Sequence, residues 1–296
     1  MRGFVARHPR AYIPAMARPF VKMNGAGNDF VVVNALEMPF RPTADQVRAI
    51  ANRQTGEGCD QLIAIEPPTD PESDADAFMR VWNADGGTVE TCGNALRCIG
   101  WMLLQSAGKA VVTIDTLGGP TTARRETDGR ITVDMGQPRL DWDQVPLDEA
   151  MDTRGIELQV GPIDAPVLHT PGAVSMGNPH VVFFVDTMPD DAFVTATGSL
   201  IEHHPRFPEG VNVGFAHVID RGHIRLRVWE RGAGLTRACG TGACAALVAC
   251  ARRGLTDRAA EVIVDGGALN ICWDEATGHV LMTGPVEVER TGTLDL

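Results

Sequence analysis

Apolar positions along this chain fall mostly in short alternating or β-branched runs. Phe30-Val31-Val32-Val33, Leu62-Ile63-Ala64-Ile65, Arg80-Val81-Trp82, Val111-Val112-Thr113-Ile114 and Ile131-Thr132-Val133 occupy the first half. Val181-Val182-Phe183, Val213-Gly214-Phe215-Ala216, Ile224 to Trp229 and Glu261 to Val264 occupy the second. Residues of this kind suit pleated, half-buried strands. Ala44 to Asn52 has a helical period, and two further helices are predicted after Cys92-Gly93 and Cys239-Gly240. Leu96, Ile99, Gly100, Met102 and Leu103 make the first of these apolar on most of its circumference; Ala243, Ala245, Ala246, Leu247, Ala249 and Cys250 do the same for the second. A helix apolar nearly all round is buried. Each half is therefore expected to be a curled mixed sheet around one central helix, with a cysteine at that helix's N-terminus.

The two halves repeat. Gly27-Asn28-Asp29-Phe30-Val31-Val32-Val33 matches Gly177-Asn178-Pro179-His180-Val181-Val182-Phe183, an offset of 150 residues, and Cys92 to Cys239 gives 147. Gln61 lies 33 positions after Asn28, as Asn212 lies 34 after Asn178. Asn83 and Glu230 each stand nine positions before a Cys-Gly step. One Gly-Asn match would be a chance turn signal; several in one order at a near-constant offset indicate duplication. The expected class is α+β, with two pseudo-symmetric domains and the active site in the cleft between them. Residues 19–136 form the first domain and 137–283 the second, with the polar stretch Gln137 to Asp152 at the crossover. The closing segment 284–296 contains an alternating strand, Val286 to Arg290, which would tie the halves together by joining the first sheet. Residues 1–18, with four arginines, two prolines and no acid, and with Pro19 following, are expected to be a disordered extension.

Composition narrows the function. A length of 296 residues suits two ordinary domains, and a formal net charge of −12 with no basic block excludes a nucleic-acid footprint. No apolar run reaches the roughly 18 residues of a membrane span. Seven cysteines, an odd number, make no disulfide framework and point to a reducing cytoplasm. Their spacing lacks a zinc pattern, so no metal is expected.

Cys92 and Cys239 carry the candidate chemistry. A helix N-terminus offers unpaired N–H groups and a partial positive charge, which favour a thiolate and can also hold a carboxylate. Two thiols presented alike could move a proton between opposite faces of one carbon, one as base and one as acid. Gly93, Gly240 and Gly242 let backbone approach a ligand. Plainer readings stand beside these. Cys98, Cys244 and Cys250 fit a helix core, Cys272 an apolar strand and Cys59 a Gly-rich turn. Asn83 and Asp85 before Gly86-Gly87 could make only a turn, Glu230-Arg231 a surface ion pair, and His180 a satisfied core histidine.

These segments resemble the diaminopimelate epimerase family from about Phe20 to Leu294. The resemblance rests on Met23 to Phe30, Asn83 to Gly86, Cys92-Gly93-Asn94 through Arg97-Cys98, Gly177 to His180, and Glu230 to Gly234 through Ala238 to Ala243. It implies cofactor-independent interconversion of L,L- and meso-2,6-diaminopimelate for lysine and peptidoglycan synthesis. By that similarity Cys92 and Cys239 are the acid/base pair. Asn28, Gln61, Asn83, Asn94, Asn178 and Asn212 hold the substrate's polar ends, and Gly93, Glu230, Arg231, Gly240 and Thr241 complete the site. His180 and Glu230 tune the thiols, and the protein forms a homodimer. Ala95 stands where the family commonly has another Gly, Leu235 where it commonly has Glu, and Cys59 replaces a small residue. Proline and hydroxyproline racemases have a histidine where Asn94 stands, and phenazine-biosynthesis-type isomerases lack the paired cysteines. A non-catalytic binding protein is the rival from another class.

Overall fold

The computed structural model describes residues 17–295. The predicted extension therefore falls mainly outside the described residues. Its last member, Arg18, belongs to the fold instead: it opens the first strand opposite Leu294, and its guanidinium donates to the carbonyls of Met38 and Pro39.

The first half contains β1 (Arg18–Gly25), β2 (Asn28–Asn34), α1 (Ala44–Ala51), β3 (Gln61–Glu66) and β4 (Ala77–Asn83). It continues with β5 (Thr88–Val89), α2 (Gly93–Ala107), β6 (Val111–Thr116), β7 (Gly119–Arg125) and β8 (Ile131–Asp134). A separate two-stranded ladder joins β9 (Gln159–Val160) to β10 (Leu168–His169). The second half contains β11 (Gly172–Ser175), β12 (Pro179–Phe184), α3 (Asp191–Glu202), β13 (Asn212–Asp220) and β14 (His223–Glu230). It continues with β15 (Gly234–Thr236), α4 (Gly240–Arg252), β16 (Ala259–Val264), β17 (Gly267–Trp273) and β18 (Val280–Gly284). β19 (Glu287–Leu294) closes the described chain.

Seventeen strands make one large mixed sheet, and its pairings recur strand for strand. β2 runs parallel to β3 with Phe30 opposite Gln61; β12 runs parallel to β13 with His180 opposite Asn212. β4 pairs parallel with β6, and β14 with β16. The sets meet where β8 lies antiparallel to β18. β19 then returns to pair antiparallel with β1 along its whole length.

Both central helices are buried for the reason their composition suggests. α2 packs on β1, β6, β7 and β8, and α4 on strands of the second half, while the two helices also touch. Ala95, Cys98 and Ile99 of α2 and Ala243 to Val248 of α4 are fully buried in one continuous core. Each large aliphatic side chain so buried contributes roughly 1.5–3 kcal/mol. Gly108, in the left-handed region at φ 62°, stops α2. α1 begins with a complete capping box between Thr43 and Gln46.

The apolar period did not announce α3. Its start is set by Asp190, whose carboxylate accepts from the Phe193 N–H, and its inner face uses Thr197 and Gly198, which blur the pattern. Gly198 faces Trp229 so closely that a Cβ would lie 2.4 Å from the ring.

Gly100 tests how tightly α2 is held. A Cβ there would lie 2.4 Å from the Cβ of Ala123 on β7. Gly100→Ala gains about 1 kcal/mol of helix propensity, but overpacking costs about 1–3 kcal/mol. The expected net result is a lower urea midpoint; an equal or higher one would show that α2 can shift away from β7.

Candidate active site

Cys92 and Cys239 occupy matching positions in extended backbone, as the N-caps of α2 and α4. A thiol caps poorly beside Ser or Asp. Cys239 Sγ accepts from the Gly242 N–H at 3.3 Å, and the Cys92 side chain makes no capping bond. The next residues bring the two helix starts together. A Cβ on Gly93 would lie 2.6 Å from Met282 Cε and 2.9 Å from Met135 Cε. One on Gly240 would lie 3.1 Å from Met282 Sδ and 3.2 Å from Asn94 Oδ1. Met282, on β18, thus lies against both starts, and glycine is what leaves room for it.

The amides of the first half are held by a charged network. Asn28 donates through Nδ2 to Asp60 Oδ2 at 2.8 Å, which leaves its Oδ1 3.8 Å from Cys92 Sγ. Asp60 also accepts from the Asp29 N–H, and Asp29 accepts from the Asp60 N–H, both at 3.0 Å. Arg53 bridges the two carboxylates at 2.8 and 2.6 Å, and Lys22 reaches Asp29 at 2.5 Å. Burial pushes the Asp29 carboxyl up, but the bonds from Arg53 and Lys22 outweigh it and hold the group well below its ordinary range. Gln61 Nε2 donates to Asn83 Oδ1 at 3.0 Å, and Gln61 Oε1 is buried without a partner. Asn83 keeps its turn role too, since the Gly86 N–H donates to its carbonyl. On the second half's edge, the Ala26-Gly27 turn lies against Gly266, where a Cβ would meet Ala26 O at 2.1 Å.

In the second half the side chains form a relay to sulfur. His180 is buried, with Nε2 3.1 Å from both Asn178 Oδ1 and Thr241 Oγ1. Asn178 Nδ2 donates to Thr241 Oγ1 at 3.3 Å, and Thr241 Oγ1 lies 3.5 Å from Cys239 Sγ. One proton arrangement serves all four groups: His180 donates through Nε2–H, and Thr241 donates to Cys239. Asn212 is buried; its Nδ2 donates to Pro179 O at 2.8 Å, and its Oδ1 accepts the Arg231 N–H at 2.9 Å. Arg231 is exposed, with Nη1 donating to Glu209 O at 2.7 Å. Glu230 accepts from Thr236 Oγ1 at 2.5 Å and turns toward Cys239, making no ion pair with Arg231.

The expectation that the helix starts would lower both thiols is corrected by burial. Burial pushes Cys92 up to about 11; Glu230 raises it further, while the N–H groups of Ala95 and Asn94 and the charge of Arg97 pull it down. Burial raises Cys239 well above the ordinary thiol range, and the neighbouring Glu230 carboxylate adds to this against Thr241 and Gly242. Burial also raises Glu230. Burial, then the charge of Arg231, drives His180 down to about 3, so its ring stays neutral. Desolvation of an anion outweighs a partial helix charge here.

Cys59, Cys98, Cys244 and Cys250 are buried, the last three inside α2 and α4. Cys272 lines a surface recess with His223, Glu261, Asn270 and Thr283, away from both helix starts. Sequence reasoning missed four contributors. Asp60 orients Asn28, and Met282 separates the helix starts. Glu202 accepts from Trp229 Nε1 at 2.7 Å and the Gly232 N–H at 2.8 Å, holding the turn after Arg231. Arg97 is fully buried beside Asn94. Only Asp60 and Arg97 had a signal, each inside a motif already singled out.

Comparison with known proteins agrees with this architecture. The sequence model described as diaminopimelate epimerase matches residues 20–140 and 172–289. A diaminopimelate epimerase of a Caulobacter species is 61% identical over 285 residues, covering 94% of this chain and 98% of its own. That of Phenylobacterium zucineum is 56% identical, covering 95% and 99%. Among solved structures, a hydroxyproline epimerase of Agrobacterium vitis superposes with a TM-score of 0.66 at 17% identity, covering 95% of this chain and 93% of its own. A phenazine biosynthesis protein of Bacillus anthracis does so at 0.63 and 14%, covering 95% and 100%. These two likenesses concern the fold alone. By sequence over nearly its whole length, the chain belongs to the diaminopimelate epimerase family.

Proposed function

We propose that this protein interconverts L,L- and meso-2,6-diaminopimelate by a two-base thiol mechanism that needs no cofactor, in the supply of lysine and peptidoglycan precursors. The observation that carries it is the pair of cysteines capping two central helices whose starts converge on Met282. In this reading the halves are duplicated domains, 19–136 and 137–283, with 284–296 completing the first, and substrate lies in the cleft between them. The enzyme works in the cytoplasm as a homodimer.

The chemistry follows from the contrast between the thiols. Cys92 has backbone N–H groups and Arg97 favouring its anion, while Glu230 holds the proton on Cys239. Cys92 is thus the thiol that ionises more readily and serves as base, and Cys239 serves as acid. The Cys92 thiolate takes the α-proton from one face, the carbon is left with the electron pair of the broken C–H bond, and the Cys239 thiol gives its proton to the opposite face. The enzyme then holds the reverse protonation state, ready for the opposite direction. N–H groups at Gly93, Asn94, Gly240 and Thr241 take up the charge that spreads into the α-carboxylate. Asn28 and Gln61 serve the reacting end. Asn83, Asn178, Asn212 and Arg231 read the distal end, Arg231 as a bidentate carboxylate partner. His180 acts on Cys239 through Thr241.

Deuterium uptake from heavy water decides the activity. Diaminopimelate should gain deuterium at the α-carbon, whereas proline and hydroxyproline should not; exchange of neither, or of proline alone, sinks the reading. Cys92→Ala and Cys239→Ala should each abolish epimerisation, since one face loses its proton carrier. Near wild-type turnover in either variant would exclude a two-base reaction.

Alkylation tests the assignment of base and acid. Only the thiolate reacts with iodoacetamide, so a thiol raised to about 11 should react slowly at pH 7. Its rate should climb about tenfold per pH unit up to that value, and peptide mapping should find Cys92 modified before Cys239. Fast reaction of Cys92 at pH 7 would contradict the effect of burial on its thiol, and Cys239 modified first would contradict the assignment of base and acid.

A further inference from the structure

Arg97 presents an unusual combination. Its side chain is 0% exposed, the largest fully buried side chain of the described chain. Nη1 donates to Asn94 Oδ1 at 2.9 Å and to Met282 Sδ at 3.5 Å, but Nε and Nη2 are buried without partners. The groups that feel its charge are Cys92 and Cys98 on its own helix and Cys244 on α4. Those are weak acids, not carboxylates. A carboxylate, Glu230 on β14, also acts on Cys92 and opposes Arg97.

Its seat is made by two glycines from opposite ends of the chain. A Cβ on Gly25, at the end of β1, would lie 3.3 Å from Arg97 Nη2 and 3.0 Å from Asn94 O. One on Gly284, at the end of β18, would lie 3.0 Å from Arg97 Nε. The fork's unpartnered edge therefore faces bare backbone. A guanidinium has no acceptor and stays charged even when burial lowers its basicity. Such a cation, buried without a counter-ion, is costly to the fold, and each unpaired donor calls for an explanation.

We propose that Arg97 is a positioning residue of the epimerase site: it fixes the Asn94 amide and supplies positive charge behind the two helix starts, where the working thiolate and the substrate carboxylate are negative. This rests on the functional reading above. Because Arg97 can only donate, it captures the oxygen of Asn94 and leaves the NH₂ end as the donor for a ligand. Asn94 Oδ1 also lies 3.2 Å from where a Cβ on Gly240 would sit, so one side chain ties both helix starts to one cation. The unfavourable burial is offset when an anion forms above it.

The test compares wild type with Arg97→Met and Arg97→Lys. Iodoacetamide alkylation of Cys92 without substrate is followed from pH 7 to 10, beside thermal melting and kcat and KM for L,L-diaminopimelate. Arg97→Met should melt at or above the wild-type temperature, since an apolar side chain of similar length relieves the buried charge. Its Cys92 should alkylate about tenfold more slowly at pH 8, one unit of thiol pKa, and kcat should fall more than KM rises. Arg97→Lys should restore the alkylation profile but recover kcat only in part, because it keeps the charge and loses the fork. Wild-type alkylation and kcat in Arg97→Met, equally slow alkylation in both variants, or loss of the folded state in both would overturn the proposal. Absence of diaminopimelate turnover in wild type would sink the epimerase reading instead, and the alkylation comparison would still judge the charge effect.

Discussion

A helix that starts inside the core takes its first N–H groups out of water, and this fold must satisfy two such starts at one place. α2 and α4 are buried on most sides over their first three turns, so their packing is favourable there except at the first turn, where N–H groups have no intrahelical partner. Asp or Ser caps would satisfy those donors. Here the caps are thiols, one bonding weakly and one making no capping bond. The first turns are thereby left with donor capacity for a ligand, and the rest of the site is arranged around that unfinished hydrogen bonding.

The same burial decides the chemistry of sulfur. A helix start alone would depress a thiol, yet both cysteines end above the ordinary range because desolvation dominates. For removing a weakly acidic α-proton this has a use: a thiolate of higher pKa is a stronger base, though less populated. Glu230 and Arg97 then make the surroundings of the two helix starts unlike each other. Glu230 hydrogen-bonds with Cys239 and raises both thiols, while the Arg97 guanidinium favours the anion of Cys92, so two similarly placed thiols differ.

Positioning of the amides is likewise a matter of fixed partners. Asp60 holds Asn28, Arg97 holds Asn94, and the Arg231 N–H with the Pro179 carbonyl holds Asn212. In each case the partner's chemistry settles which end of the amide faces it.

Much of this was legible in the sequence because the repeat is carried by local signals. The β-branched runs, the all-round apolar helices and the Cys-Gly steps appear in the same order twice, and strand pairing places Gln61 opposite Phe30 as it places Asn212 opposite His180. α3 escaped because its inward face uses Thr197 and Gly198 to fit Trp229, a tertiary requirement with no apolar period. Periodicity could place the thiols at helix starts, but the balance between helix field and desolvation depends on what packs around them from strands far away in sequence. Met282, Gly25 and Gly284 acquire meaning only when β18 and β1 come beside α2. Local pattern along the chain thus determined most of the elements and the placing of two cysteines at helix starts, and only long-range packing decided α3, the protonation of the thiols, the orientation of the amides and the burial of Arg97 without a counter-ion.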